Sequence, residues 1–495
     1  MSRIITLAIA LSIGLHATGY CQSPAAAEAV LTVDANSVIQ NDFLGVNGVY
    51  HGFAFMPFEV SLGMNEDDRK REFDRVSAMG LNIARTWYRP DWVCGDNLHN
   101  PFDWNTVEMR AFYDWLSAMK ERNVDVALQA GWWFTRDTYL GSERPNPPKD
   151  VTRFAEWVSE SLKQIIRVKG FTNVKYLVLF TEPLNYDSGV NPAGYTHDHY
   201  YAKVCRAIHD RLVADALRKN VKVIGPNSGS TNTGAWVDWA VENLNDVIDI
   251  YSWHSYNGGS ARNNPPEEYE GWCRIVEAGK IKMAATGKPF WIDEYGASRP
   301  DETVRFQPDY GNYLAQAVAA FLNTGAQSSL IWLLFDQKYG FDTTNKDSFY
   351  KGVHRWGTAK WPHDTVEDPT FPYPSWYAFS LLSKYLGGRD GTKVFAAQGS
   401  EGLIISAVRR PEGNWSFLII NANREPRDFK VNLNFPLDAA VFRYLYDPSV
   451  IKPTQEARMI GYDKTFNHVE LVFSDSIPAR GVAIYSTVQG EGASQ

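Results

Sequence analysis

The sequence predicts a (β/α)8 TIM barrel over residues 42–386, followed by an antiparallel β-sandwich over 388–490. Three observations carry this. From about residue 42 to 385, short β-favouring runs alternate with longer amphipathic stretches, the pattern of βα units. Eight such runs are present, which suits a closed barrel, whose usual ~250 residues grow past ~400 with loop insertions. After Gly387-Gly388 the helical period stops, and short strand-like runs between turns take over.

Residues 1–22 resemble a secretion signal. Arg3 supplies the positive start, residues 4–15 the apolar run, and Ala17-Thr18-Gly19 a small-residue cleavage region. The run is shorter than the ~20 residues that cross a bilayer, and no later stretch is long and apolar enough, so no transmembrane segment is expected. The expected location is secreted or periplasmic. A lipid anchor through Cys21 is disfavoured, because Tyr20 is not the small residue that such a site wants. Residues 29–38 suggest an extra strand docked on the sandwich.

Within the barrel the strand candidates are 43–46, 82–87, 124–130, 175–180, 222–225, 247–253, 289–293 and 329–334. Between them, 67–79, 106–122, 151–168 and 199–219 are apolar at helical spacing, with charges on the other face. An open doubly wound sheet is the competitor, but its Gly-rich phosphate turn after an early strand is missing. Sandwich strands are expected at 392–398, 403–408, 415–421, 429–434, 439–446, 469–473 and 481–487. With no low-complexity linker, the two modules are expected to pack tightly.

A net charge of −8 argues against nucleic acid or an anionic membrane as partner. The 17 Trp and 25 Tyr suit stacking on the apolar faces of sugar rings, or simply a large aromatic core. Cys94, Cys205 and Cys273 form no disulfide framework, though one bridge remains open, and no pair has metal-ligand spacing. His197-Asp198-His199 opens a predicted helix without a third ligand, and reads as surface or capping.

Chemistry in such a barrel sits at the C-terminal ends of the strands. Strand four runs through Leu179-Phe180-Thr181 into Glu182-Pro183, and strand seven through Trp291-Ile292-Asp293 into Glu294-Tyr295-Gly296. A carboxylate at the end of an apolar run needs a reason, because burying an unpaired charge is costly. Two that face each other across a barrel mouth suit glycoside cleavage, and retention wants them ~5–5.5 Å apart. Asp293 rivals Glu294, and strict strand alternation would send only one of them into the mouth. Arg85 ends strand two, where a fixed cation would keep the nucleophile ionised and lower its pKa. His254 and Tyr256, two apart on strand six, share a side of an extended chain. They are placed to orient a carboxylate and bind a hydroxyl, a satisfied core pair being the alternative. Trp332 on strand eight is placed to floor the sugar. Trp87, Trp132, Trp133 and Trp356 are candidate sugar platforms, with core packing the alternative.

This set resembles clan A of the glycoside hydrolases, retaining enzymes on a (β/α)8 barrel, over residues ~42–385. His254-Ser255-Tyr256 and Asp293-Glu294-Tyr295-Gly296 resemble family 5. Gly225-Pro226, Trp332 followed by Asp336, and Pro374-Ser375-Trp376-Tyr377-Ala378-Phe379 before a sandwich are similar to family 39. The resemblance implies Glu182 as acid/base, partly desolvated with a raised pKa, and Glu294 as nucleophile. Arg85 and Tyr256 would support Glu294, and no metal or organic cofactor is needed. One departure stands out: the clan usually has Asn before the acid/base, holding the sugar 2-hydroxyl, and here Thr181 occupies that position. The expected substrate is a β-linked glycan. The long loops at 133–149 and 336–374 suit either a cleft for endo action or a pocket for exo action. From another class, a non-catalytic carbohydrate-binding protein would bind sugar without turnover.

Overall fold

A computed structural model describes residues 28–490, apart from 51–62, 96, 132–147, 149, 183–196, 230–232, 258–264, 298–303, 339–352, 362–371 and 454–457. Cys21, Trp132, Trp133, Pro183, the leader and most of both long loops lie outside the described residues.

In chain order the elements are β1 (Ala29–Gln40), β2 (Val46–Val49), α1 (Glu66–Met79), β3 (Ile83–Tyr88), α2 (Asp91–Cys94), α3 (Val107–Glu121) and β4 (Asp125–Ala130). There follow α4 (Val151–Leu162), β5 (Val174–Leu179), α5 (His197–Ala214), β6 (Lys222–Ser228), α6 (Thr233–Leu244), β7 (Ile250–Asn257), α7 (Pro265–Met283), β8 (Phe290–Ala297), α8 (Asp309–Thr324) and β9 (Ser328–Ile331). A small pair, β10 (Gln337–Lys338) and β11 (Val353–His354), precedes α9 (Pro374–Leu381). The second module holds β12 (Lys393–Gln398), β13 (Leu403–Arg409), β14 (Trp415–Asn421), β15 (Arg427–Leu433), β16 (Ala439–Tyr446), β17 (Lys464–Val469), β18 (Val472–Ile477) and β19 (Val482–Ser486).

Strands β2 to β9 close into an eight-stranded barrel. Every ladder in it is parallel. Sequence signals explain the helices around it. Asn65 and Asp68 form a reciprocal capping box at the start of α1, and Gly80 ends that helix at φ 60°. Thr106 and Asp150 cap α3 and α4 through the amides of Met109 and Arg153. The helix expected over 151–168 divides, because its last part, Lys163–Val168, widens into π-type turns. The first strand lies at Val46–Val49 rather than 43–46. Its Gly48 has no room for a side chain, since a Cβ would fall 2.4 Å from Leu334.

The lower barrel is plugged by apolar side chains, among them Ile83, Ala127, Val178, Ile224, Ile250, Trp291 and Leu330. One layer higher, towards the strand C-termini, the side chains that follow in register are polar: Arg85, Gln129, Asn227 and His254, all fully buried. The fold thus gives a solid floor beneath a polar mouth, as expected for this architecture.

The second module is one nine-stranded sheet in the order β17-β16-β19-β14-β13-β12-β1-β15-β18. It curls over its own core until Phe466 of β17 and Phe473 of β18 stand 5.6 Å apart, so a single sheet makes both layers of the sandwich. The N-terminal β1 joins it, antiparallel to β12 and parallel to β15, and the latter is the exception to an otherwise antiparallel sheet. The barrel helix α8 is the seam. Asn312 donates to the carbonyls of Asn421 (3.0 Å) and Arg480 (2.9 Å), and Tyr385 stacks on Tyr444 at 4.1 Å. Cys94, Cys205 and Cys273 are free thiols, so none of them is bridged. α5 does begin at His197, and the side chains of His197 and Asp198 lie outside the described residues.

Candidate active site

Glu182 stands just beyond β5 and Glu294 near the end of β8. One carboxylate oxygen of each, together with a ring nitrogen of His254, lie within 4.8 Å of one another. The Glu182 side chain is 25% exposed and that of Glu294 7%, so the first looks outward and the second is held within. Glu182 takes a left-handed backbone, φ 43°, as does Phe180 at φ 63°. Such strain collects at functional sites. Here the Glu182 amide donates to the Asn227 carbonyl (2.9 Å), and Gly229 leaves space beside the carboxyl, where a Cβ would come within 3.2 Å of Oε1.

Arg85, fully buried, places Nη2 2.9 Å from Glu294 Oε1. Its Nε donates to Gln129 Oε1 (2.8 Å), its Nη1 to the Asp293 carbonyl (2.8 Å), and its Nη2 approaches Thr181 Oγ1 at 3.4 Å. The Tyr256 hydroxyl donates to Glu294 Oε2 (2.7 Å). His254 Nδ1 lies 2.8 Å from Glu182 Oε1 and 3.1 Å from Glu294 Oε2. Its Nε2 lies 3.2 Å from Asn227 Oδ1.

The expectation that Arg85 would leave Glu294 with a lowered pKa is corrected. Burial pushes the carboxyl up, His254 and Arg85 pull it back, Glu182 pushes it up again, and the net direction is upward from 4.5. Desolvation of the charged form outweighs the cation here. Burial also opposes charge on His254, but Glu294, then Glu182 and Asp293, outweigh it and raise its pKa from 6.5.

A second correction concerns Asp293. Alternation along a strand predicts that Asp293 and Glu294 point to opposite sides, yet both side chains lie in the buried polar layer, Glu294 at the mouth and Asp293 behind His254. The reason is a bulge in β8. Trp253 pairs with Ile292 and His254 with Glu294, so Asp293 is an extra residue against β7. A matching irregularity breaks β6, where Ser252 pairs with Pro226 and Trp253 with Ser228, leaving Asn227 as the extra residue. Asn227 Nδ2 donates to Asp293 Oδ2, so the two bulges meet behind His254.

Among the aromatics, Trp332 and Trp356 are partly exposed, with ring centroids 6.5 Å apart, and Trp356 lies 6.3 Å from Tyr256. They form the aromatic wall. Trp87 is only 2% exposed, donates Nε1 to Gln129 Oε1 (2.9 Å), and backs Trp332 at 5.7 Å, so it supports the wall from the core side. Trp132 and Trp133 lie outside the described residues. Asn227 and Gln129 are site residues that sequence reasoning missed. Pro226 inside a central strand was the available signal, since proline cannot join a ladder and marks a bulge. Gln129 had none beyond its place at a strand end.

Two carboxylates and an imidazole are also donors of the kind that holds a metal ion. In this site the nitrogen that faces the carboxylates, His254 Nδ1, is engaged by Glu182 and Glu294, and Glu294 is held by both Arg85 and Tyr256.

No family model and no curated protein matches the chain. Solved structures do. A glycoside hydrolase family 30 subfamily 8 xylanase from Clostridium acetobutylicum aligns at TM-score 0.62 and 15% identity, over 92% of this chain and 98% of that one. A GH39 β-xylosidase from Caulobacter crescentus gives 0.59 and 15%, over 93% and 100%. SrfJ from Salmonella typhimurium gives 0.63 and 12%, over 95% and 94%. At these identities the likeness is one of fold, and it covers the barrel and the curled sheet together.

Proposed function

We propose that the chain is a retaining glycoside hydrolase that cleaves β-linked glycans by double displacement, acting within a polysaccharide. The observation that carries this is the carboxylate pair. Its oxygens approach within 4.8 Å across the mouth, near the ~5–5.5 Å of retaining enzymes and far from the ~6.5–9.5 Å that leaves room for an inverting water. Of the two, Glu294 is held by Arg85 and Tyr256, as suits a nucleophile that must be ionised and fixed in direction. Glu182 is the more exposed, as suits a group that meets a leaving oxygen and then a water.

In the first step Glu294 Oε attacks the anomeric carbon while Glu182 gives its proton to the glycosidic oxygen, and the aglycone leaves. The negative charge of Glu294 is lost as its oxygen bonds to the anomeric carbon, and the electrons of the broken C–O bond go to the leaving oxygen that Glu182 protonates. In the second step Glu182, now ionised, takes a proton from water, the water oxygen attacks the anomeric carbon, and Glu294 is freed. Trp332 and Trp356 wall the sugar.

A polymeric substrate fits the expected export leader and the aromatic wall beside the carboxylates. The xylanase and β-xylosidase titles among the similar folds make xylan and aryl β-xylosides the first substrates to try. The test is hydrolysis of aryl β-glycosides, xylan, β-glucan and mannan by wild type beside Glu182→Ala and Glu294→Ala. Cleavage of one substrate, lost in both variants, supports the reading. Full activity in either variant contradicts the assignment of that residue.

A further inference from the structure

Behind the two glutamates runs a fully buried chain of polar groups that the double displacement itself does not use. Asp293, Asn227 and His254 are all 0% exposed, and Asp293 and Asn227 are the extra residues of the two bulges that flank β7. Hydrogen-bond polarity along this chain is determined. The Asp293 carboxylate, 3.9 Å from Arg85 Nη1, only accepts. The Asn227 amide must therefore turn its Nδ2 to Asp293, which leaves Oδ1 for His254. An amide oxygen also only accepts, so His254 Nε2 must carry a proton. Asp293 Oδ1 has no hydrogen-bond partner and faces the same Nε2 at 3.9 Å, which adds a negative charge on the side that favours a proton there.

We propose that Asp293 and Asn227 are positioning residues that fix a proton on His254 Nε2, so that the ring gains and loses its second proton only at Nδ1, the nitrogen that faces Glu182 and Glu294. This rests on the glycosidase reading for its consequence, though not for its geometry. When the ring is neutral, Nδ1 is bared 2.8 Å from Glu182 Oε1 and 3.1 Å from Glu294 Oε2, where it accepts from a protonated Glu182 and disfavours the Glu182 anion. The alternative tautomer, with Nδ1–H, would donate to Glu182 and stabilise its anion, which spoils an acid. The groups facing the ring are Glu182 beyond β5, Asn227 of β6, Tyr256 on its own strand, and Asp293 and Glu294 of β8, with Arg85 of β3 behind the last two. Asn227 cannot stand in for the asparagine missing at position 181, because both ends of its amide are taken by this chain.

The experiment replaces the polarity and then restores it in reverse order. Asp293→Asn removes the charge and lets the Asn227 amide turn over. Asp293→Asn combined with Asn227→Asp rebuilds the chain. The new amide on β8 then donates to the new carboxylate on β6, which accepts from His254 Nε2–H. The readout is the 15N spectrum of histidine-labelled protein, with the His254 signal assigned by its loss in His254→Gln, alongside kcat/KM against pH. In the alkaline range where the ring is neutral, the Nε2–H form is expected in wild type, the Nδ1–H form in Asp293→Asn, and Nε2–H again in the double variant. With it, kcat/KM is expected to fall about 10–100-fold in the single variant, as is usual for a supporting residue. Its alkaline limb is expected to move down by about one pH unit and to return in the double variant. A neutral Nδ1–H form in wild type, or an unchanged neutral tautomer in Asp293→Asn, overturns the proposal. If Asp293→Asn does not fold, the double variant decides: a folded protein with Nε2–H supports the chain, and an unfolded one or a lost Nε2–H overturns it. If wild type hydrolyses no glycan, the glycosidase reading fails while the spectrum still decides the tautomer.

Discussion

The barrel mouth and the curled sheet each bury a carboxylate beside an arginine and a tyrosine, and the two carboxylates shift in opposite directions. In the sheet, Asp475 accepts from Arg443 Nη1 (2.9 Å), Lys464 Nζ (2.7 Å) and the Tyr485 hydroxyl (2.9 Å). Burial pushes it up, but Lys464, the Ser476 amide, Tyr485 and Arg443 together hold it below 3.8. In the mouth, Glu294 has Arg85 and Tyr256, and still ends above 4.5. The difference is the balance of charges. Asp475 has two cations, Arg443 and Lys464, and shares only Arg443 with Asp463, whereas Arg85 and His254 are set among three carboxylates, Glu182, Asp293 and Glu294. A network short of cations keeps its protons movable, which is of use for catalysis and costs stability. A balanced one holds the sheet together.

The widest separation between the two networks is expected in activity. Glu294→Ala should lower kcat/KM on the order of 10⁴-fold or more, as loss of a covalent nucleophile does. Glu182→Ala should cost about 10²–10⁴-fold. Asp475→Asn should leave kcat/KM within about twofold of wild type, and a large loss there would break the contrast.

Stability should separate them the other way. Asp475→Asn is expected to lose about 3 kcal/mol in a denaturant titration, because it leaves Arg443 and Lys464 without their buried partner. The folded pKa of Asp475 is depressed, so its contribution is present above the unfolded value of ~3.9 and is lost as pH falls through the folded value. The variant's deficit should therefore be full at neutral pH and fade in acid below about pH 4.

Removing the mouth's cation should move the pH profile. Arg85→Gln takes away a charge that holds Glu294 down, so Glu294 ionises only at higher pH. The acidic limb of kcat/KM should rise by about one unit. An unmoved limb would mean that Arg85 acts through position alone.

The smallest effect is a gain. The raised folded pKa of Glu294 means that its stabilising protonated form is lost as pH rises, so the ionised group works against folding at neutral pH. Glu294→Gln should then melt higher than wild type at pH 7, by about 1–3 °C, and by nothing below the unfolded value of ~4.3. A lower melting temperature at pH 7 would contradict the cation-poor account of the mouth.

Most of the barrel was legible because its signals are local. An apolar run that ends in Glu182 or Glu294, the helical spacing of 67–79 or 151–168, and the spacing of His254 and Tyr256 all read directly from the chain. What was hidden depends on neighbouring strands. The bulges at Asn227 and Asp293 exist only as a mismatch of register with β7, and an alternation rule applied to β8 alone had to choose between Asp293 and Glu294. The short β2 was misplaced because Phe43 and Leu44 look more strand-like than Asn47-Gly48, yet Gly48 is required where Leu334 packs. β17 escaped notice because Lys464, Thr465, Asn467 and His468 are exposed and blur its alternation. That a single curled sheet forms the sandwich, with β1 parallel to β15, is a property of long-range pairing that no local run encodes.

The most direct test of the central claim is azide rescue of Glu294→Ala on a substrate with an activated leaving group that wild type cleaves. The account predicts that azide restores turnover and yields the α-glycosyl azide, inverted at the anomeric carbon, because azide enters from the face that Glu294 vacated. Rescue that gives the β-azide, or rescue seen with Glu182→Ala giving the inverted product instead, would show that the roles of the two carboxylates have been wrongly assigned.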